Sequence, residues 1–171
     1  MDLKQVIVDI PDFPQPGILF RDITPITEDP QAFAFTLDEL ARRIAAIPVD
    51  RVAAIESRGF VFGGPLALRL DRGLVLVRKA GKLPRATRAE RYDLEYGTAT
   101  LEIHRDSIAA GQRVLVIDDL LATGGTAAAV GRLVRQCGAA VSAYLFVVEL
   151  DGLAGRQQLK DAPVFSLVHY A

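Results

Sequence analysis

The chain is 171 residues and 18.5 kDa, the size of a single domain with room for a real core. Half of it is hydrophobic and 24% is charged, which excludes a disordered chain. Lys+Arg number 20 against 21 Asp+Glu, so the net charge is −1 and no basic field marks a nucleic-acid partner; a charged ligand must be met by a local site.

In chain order, residues 9–30 come first and carry Pro11, Pro14, Pro16, Gly17, Pro25 and Pro30, too much proline for a helix or a central strand. Asp29 then sits as an N-cap before Pro30, and Phe33, Leu37, Leu40, Ile44 and Ile47 follow helical spacing. Val52–Ile55 and Leu74–Val77 are short apolar runs, read as strands buried on both faces. Between them, Val61–Leu70 predicts a helix interrupted early by Gly63, Gly64 and Pro65. Residues 79–97 form a long connection bearing Lys79, Lys82, Arg85, Arg88 and Arg91, a lid or binding loop, or else a solvated hairpin. Val114–Ile117 is a third buried strand, and Val141–Val148 a fourth. Val130, Leu133, Val134 and Cys137 mark the helix between those two, with Gly138 as its left-handed cap. Strands alternating with helices predict an α/β fold: a doubly wound, mostly parallel sheet flanked by helices, whose ligands bind beyond the carboxyl ends of the strands.

Sparse residue types narrow the chemistry. Cys137 stands alone, which excludes intrachain disulfides and a Cys-cluster zinc site. His104 and His169 are too far apart in sequence for a His-rich metal centre. No apolar run reaches 18 residues, Asp2 interrupts a secretory signal pattern, and the chain has no Asn. The expectation is a cytoplasmic protein without a membrane segment.

The decisive stretch runs from Val114 to Thr126 and into the following helix. An apolar strand delivers Asp118 and Asp119 to its carboxyl end, and Thr123-Gly124-Gly125-Thr126 then opens a helix. The glycines allow close backbone approach, and the first-turn amides are unpaired donors at the positive end of the helix dipole. That combination binds a phosphate, with Thr123 and Thr126 adding hydroxyl donors. Carboxylates repel phosphate, so Asp118 and Asp119 suit ribose hydroxyls or a metal. A phosphorylated sugar satisfies both parts. The chain has no P-loop and no dinucleotide Gly-x-Gly-x-x-Gly after a strand.

This stretch resembles the phosphoribosyl-diphosphate motif of the type I phosphoribosyltransferases, in the wording of the adenine phosphoribosyltransferase family. Pro16–Pro25 resembles that family's purine-side segment, and Glu56-Ser57-Arg58-Gly59-Phe60 its pyrophosphate loop. Arg78–Pro84 and Leu94-Glu95-Tyr96-Gly97 resemble the two ends of its flexible catalytic loop. The resemblance implies transfer of phosphoribose from 5-phospho-α-D-ribose 1-diphosphate (PRPP) to adenine, giving AMP and diphosphate. It implies Mg²⁺ carried on the diphosphate rather than by the protein, and a homodimer.

By the same resemblance, Asp118, Asp119, Ala122, Thr123, Gly124, Gly125 and Thr126 hold the ribose and 5′-phosphate. Ser57, Arg58, Arg78 and Lys82 take the diphosphate, and the guanidinium of Arg58 can grip it with a bidentate fork. Leu19, Phe20, Arg21 and Leu120 receive the adenine, Phe20 and Leu120 as the two faces of a sandwich. Glu95, with Tyr96 beside it on the loop, manages the adenine proton, so Glu95, Asp118 and Arg58 are the candidate catalytic residues. Two alternatives stay open: a relative acting on xanthine, guanine or hypoxanthine, and a PRPP-sensing regulator without catalysis.

Overall fold

A computed structural model describes residues 1–93 and 97–171. They form two compact units, Met1–Glu39 and Leu40–Ala171. In the first unit the proline-rich segment does hold regular structure: β1 (Val8–Pro11) pairs antiparallel with β2 (Leu19–Asp22). Proline is tolerated here because a two-stranded ribbon consists of edges only. A one-turn helix α1 (Thr24–Glu28) follows, with Pro25 in its first turn where a missing N–H costs nothing.

The division between the units falls inside helix α2 (Pro30–Arg43). Asp29 caps it as expected, its Oδ1 accepting from the amides of Gln31 at 2.7 Å and Ala32 at 3.0 Å. The α-helix stops at Arg43, short of the expected Ile47. Ile44 and Ile47 continue instead in tight turns bonded three residues back, since Pro48 disfavours helical geometry in the residue before it.

The second unit is built on a seven-stranded sheet. Its strands are β3 (Arg51–Ile55), β4 (Gly73–Lys79), β5 (Thr87–Asp93), β6 (Thr98–His104), β7 (Arg113–Leu121), β8 (Ala140–Leu150) and β9 (Val164–Tyr170). The spatial order is β5-β6-β4-β3-β7-β8-β9. The run from β4 to β9 through β3, β7 and β8 is parallel, and β6 and β5 are added antiparallel at one edge. The basic connection is therefore largely the β5–β6 hairpin.

Alternation along the strands feeds two helices. Helix α4 (Gly125–Gln136) buries Val130, Leu133 and Val134 in a core with Ala53, Ile55, Val75, Val77, Val114 and Val116. Helix α3 (Arg58–Arg69) lies on the opposite face, where a Cβ on Gly63 would overlap that of Ala54 and approach Ile117. Gly63, expected to weaken this helix, is what brings it close to the sheet. Because β3, β4 and β7 are parallel and in register, Glu56 just after β3, Arg78 late in β4 and Asp118 late in β7 come to the same end of the sheet.

Candidate functional site

Register alone gathers most of the expected residues. Ser57 and Arg58 follow β3, Arg78 is the last residue but one of β4, and Asp118 and Asp119 lie in the carboxyl-terminal half of β7. Arg58 reaches across to Asp119, its Nε donating to Oδ2 at 2.5 Å, and the Asp119 side chain is only 8% exposed. Gly59 permits the approach: a Cβ there would lie 2.8 Å from Asp118 Oδ1 and 3.1 Å from the Ile117 carbonyl.

Asp118 accepts the Asp119 amide at 2.9 Å. Burial, and then the Asp119 charge, push its carboxyl well above the ordinary aspartate range. A carboxyl raised in the folded state favours folding below its unfolded pKa of about 4 and loses that contribution as pH rises through the folded value. Asp118→Asn is therefore expected to melt higher than the parent chain near neutral pH, with the gap closing towards about pH 4. Thermal unfolding over that range checks it, and a gap independent of pH contradicts it.

Glu56 is the neighbour that sequence reasoning left without a role. Its side chain is 9% exposed and gathers three donors: Lys82 Nζ at 2.8 Å, Arg78 Nε at 3.0 Å and the Lys79 amide at 3.1 Å. Burial works against its charge, yet the bonds from Lys82, Lys79 and Arg78 prevail and hold the carboxyl below the ordinary glutamate range. Two of the three expected diphosphate-side cations, Arg78 and Lys82, are thus held together by one acid, beside Ser57. The signal available in sequence was an acid directly after a buried strand and before Ser57-Arg58.

The Thr123–Thr126 turn expected to receive a phosphate opens α4. Gly124 is the N-cap of α4 at a left-handed φ of 84°, a conformation that favours glycine, and no side chain among the described residues caps the helix. Asp118, Leu120, Ala122, Thr123, Gly124 and Thr126 line a cavity of about 80 Å³ at this turn, room for one small group. Thr126 Oγ1 donates to the Tyr92 hydroxyl at 3.2 Å, which places β5 of the hairpin against the helix start. Arg132 and Gln136 of α4 fasten the same strand by donating to Glu90 at 2.5 and 2.7 Å. Neither Tyr92 nor Glu90 was legible as part of this site, because nothing local in Thr87–Asp93 distinguishes it from a solvated charged loop.

The phosphoribosyl transferase domain family matches residues 28–167 of the chain. An adenine phosphoribosyltransferase of Acaryochloris marina is 54% identical over 99% of this chain and 100% of its own. Among solved structures, the adenine phosphoribosyltransferase of Thermoanaerobacter pseudethanolicus superposes with a TM-score of 0.96 at 48% identity, covering 98% of each chain. That of Saccharomyces cerevisiae, complexed with an imino-altritol bisphosphate and adenine, gives 0.91 at 46% identity over 96% of each chain. The chain belongs to the adenine phosphoribosyltransferase family.

The family's purine-side segment falls in the first compact unit. Phe20 packs edge-on against Phe13 with ring centroids 5.1 Å apart, Arg21 is paired with Asp9, and Leu19 is 48% exposed. The Arg21 side chain is thus engaged within its own ribbon. Leu120 stands on β7 beside Val148 of β8, two residues past Asp118. Glu95 and Tyr96 of the family's catalytic loop lie outside the described residues. Glu149, Asp151 and His169 form a cluster that could offer a metal three ligand atoms, but Arg156 already donates to both Glu149 oxygens. No helix among the described residues is long and apolar enough to cross a membrane.

Proposed function

We propose that this chain forms AMP and diphosphate from adenine and PRPP. The observation that carries the reading is the meeting of Arg58, Asp118, Asp119 and the Ala122–Thr126 turn at the carboxyl end of β7. Phosphate and cation requirements are met side by side: α4 amides with Thr123 and Thr126 for the 5′-phosphate, Ser57, Arg58, Arg78 and Lys82 for the diphosphate. Asp118 and Asp119 accept from the ribose hydroxyls between them. The family resemblance assigns Leu19, Phe20, Arg21 and Leu120 to the adenine.

In the reaction, a bond forms between an adenine ring nitrogen and ribose C1 while the C1–oxygen bond to diphosphate breaks. The ring N–H proton leaves the base, and the bonding electrons leave with diphosphate. Positive charge develops on the ribose and negative charge on the departing oxygens. Binding both ends of PRPP fixes C1 against the base, and the cations gathered at the rim stabilise the leaving group. Arg78 and Lys82 exchange Glu56 for the diphosphate in doing so. Glu95 takes the proton-handling role on the loop.

The acids at the rim fit a metal that arrives on its ligand. Asp119 is bonded by Arg58, Glu56 by three donors, and the buried Asp118 accepts the Asp119 amide. Mg²⁺ bound by PRPP supplies further charge neutralisation on the diphosphate. A net charge of −1 argues against a nucleic-acid partner. Residues 1–171 act as one cytoplasmic phosphoribosyltransferase domain and pair as a homodimer. Leu74 and Leu76 of β4, 40% exposed, with Val61 at 41% and Leu68 at 83% on α3, supply apolar surface for a second copy.

Mixing the protein with PRPP, Mg²⁺ and each purine in turn tests the reading. AMP is expected from adenine only, and only with both PRPP and Mg²⁺ present. Equal turnover of hypoxanthine or guanine overturns the base assignment, and no nucleotide from any purine overturns the transferase.

A further inference from the structure

Two glycines meet behind the Ala122–Thr126 turn. A Cβ on Gly124 would overlap the Gly155 carbonyl, and a Cβ on Gly155 would overlap the carbonyl of Ala122. Gly155 opens a short 3₁₀ turn, Gly155–Gln158, entered through Ala154 at a left-handed φ of 52°. A single turn of this kind has little stability of its own. Its position must be imposed from outside.

Arg156 imposes it. Nε and Nη2 donate to the two oxygens of Glu149 at 2.6 and 2.7 Å, and Nη1 donates to the Val164 carbonyl at 2.7 Å. Glu149 is 3% exposed and accepts a further bond from the Ser166 hydroxyl at 2.6 Å. In the sheet Glu149 stands directly beside Leu121, the residue before Ala122, with His169 of β9 on its other side. One buried carboxylate of β8 therefore ties β9 to the turn whose backbone abuts the cradle, with Leu121 of β7 in register beside it.

Stability alone does not call for such a pair, because apolar groups of similar volume hold a turn as well. A fork on a carboxylate instead fixes distance and angle together. That is what a cradle of backbone amides needs, since its donors act only when they converge on one spot. We propose that Arg156, locked on Glu149, is a positioning residue that sets the Ala122–Thr126 turn through Gly155. The inference rests on the reading that this turn holds the 5′-phosphate of PRPP.

The test uses two variants of the full chain: Arg156→Lys, which keeps the charge and loses the fork, and the double variant Glu149→Gln with Arg156→Gln, which leaves no buried charge unpaired. Calorimetry is run well below each melting temperature with PRPP, AMP and inorganic diphosphate. PRPP and AMP, which carry the 5′-phosphate, are expected to bind about tenfold more weakly, equivalent to roughly 1.4 kcal/mol, while diphosphate affinity stays within twofold. In kinetics the KM for PRPP rises and kcat at saturation changes less. Thr126→Val is titrated beside them, with PRPP affinity expected to fall about ten- to a hundred-fold through loss of a donor to a charged group. Weakening by Thr126→Val alone, or equal weakening of all three ligands in the Arg156 variants, overturns the positioning role. Unchanged PRPP binding in Thr126→Val overturns the phosphate reading and the inference with it.

Discussion

Replacing Glu95 by Gln is expected to lower kcat by about 10²–10⁴-fold, the usual range for general acid–base catalysis. As the C–N bond forms, the adenine ring proton needs an acceptor, and two of the described acids at the rim are already engaged by cations. Asp119 is bonded by Arg58, and Glu56 by Lys82, Arg78 and the Lys79 amide. Asp118 is raised by burial and then by the Asp119 charge, and it already accepts the Asp119 amide at 2.9 Å. Glu95 is two residues along from Asp93, whose carbonyl would stand 3.6 Å from a Cβ on Gly125 at the start of α4. The strands on either side of it are paired, Asp93 against Thr98. Gln keeps the shape and removes the base, so PRPP affinity and the melting temperature are expected to stay near those of the parent. Steady-state kinetics run beside PRPP titration and thermal unfolding separates the outcomes. A kcat within a few-fold of the parent removes Glu95 from proton transfer.

Local chemistry made part of this molecule legible before any coordinates. Val52–Ile55 and Val114–Ile117 announce themselves as strands because burial on both faces demands consecutive apolar residues. The Asp118–Thr126 motif is equally plain, since strand end, acids, glycines and helix start are contiguous. Thr87–Asp93 is different. Its sequence is largely charged and becomes a strand only because β6 offers a partner and α4 offers Arg132 and Gln136 to Glu90. Val8–Pro11 and Leu19–Asp22 were hidden by prolines that a central strand could not hold but a two-stranded ribbon can. The cap at Asp29 was readable because both its amide partners lie within three residues. Glu56 with Arg78, and Glu149 with Ser166, are separated by 22 and 17 residues, and no period in sequence links them. These long-range polar pairs hold the site in place, and the topology has to be known before they can be seen.

Arg58→Lys is expected to lower kcat/KM for PRPP by about 10²–10³-fold, the scale of losing one preorganised donor to developing negative charge. The substitution keeps a cation on the loop after β3, so charge alone cannot account for such a loss. Arg58 has one nitrogen, Nε, on Asp119 at 2.5 Å, and its side chain is 47% exposed. The guanidinium is planar and its donors are fixed relative to one another, so anchoring one edge on Asp119 orients the rest of the group. A lysine ammonium on Asp119 has no such second edge, and an ammonium turned to the diphosphate abandons Asp119. Either choice costs something: a leaving group left short of a donor, or an acid 8% exposed left without its partner. The first lowers turnover with the fold intact. The second lowers the melting temperature as well and returns some turnover, so thermal unfolding measured with the kinetics tells them apart. The companion Lys82→Gln removes an exposed cation from Glu56 while Arg78 and the Lys79 amide remain on that acid, and a smaller loss is expected. If Arg58→Lys turns over PRPP within threefold of the parent, the fork is not what stabilises the departing diphosphate, and point charge at the rim is sufficient.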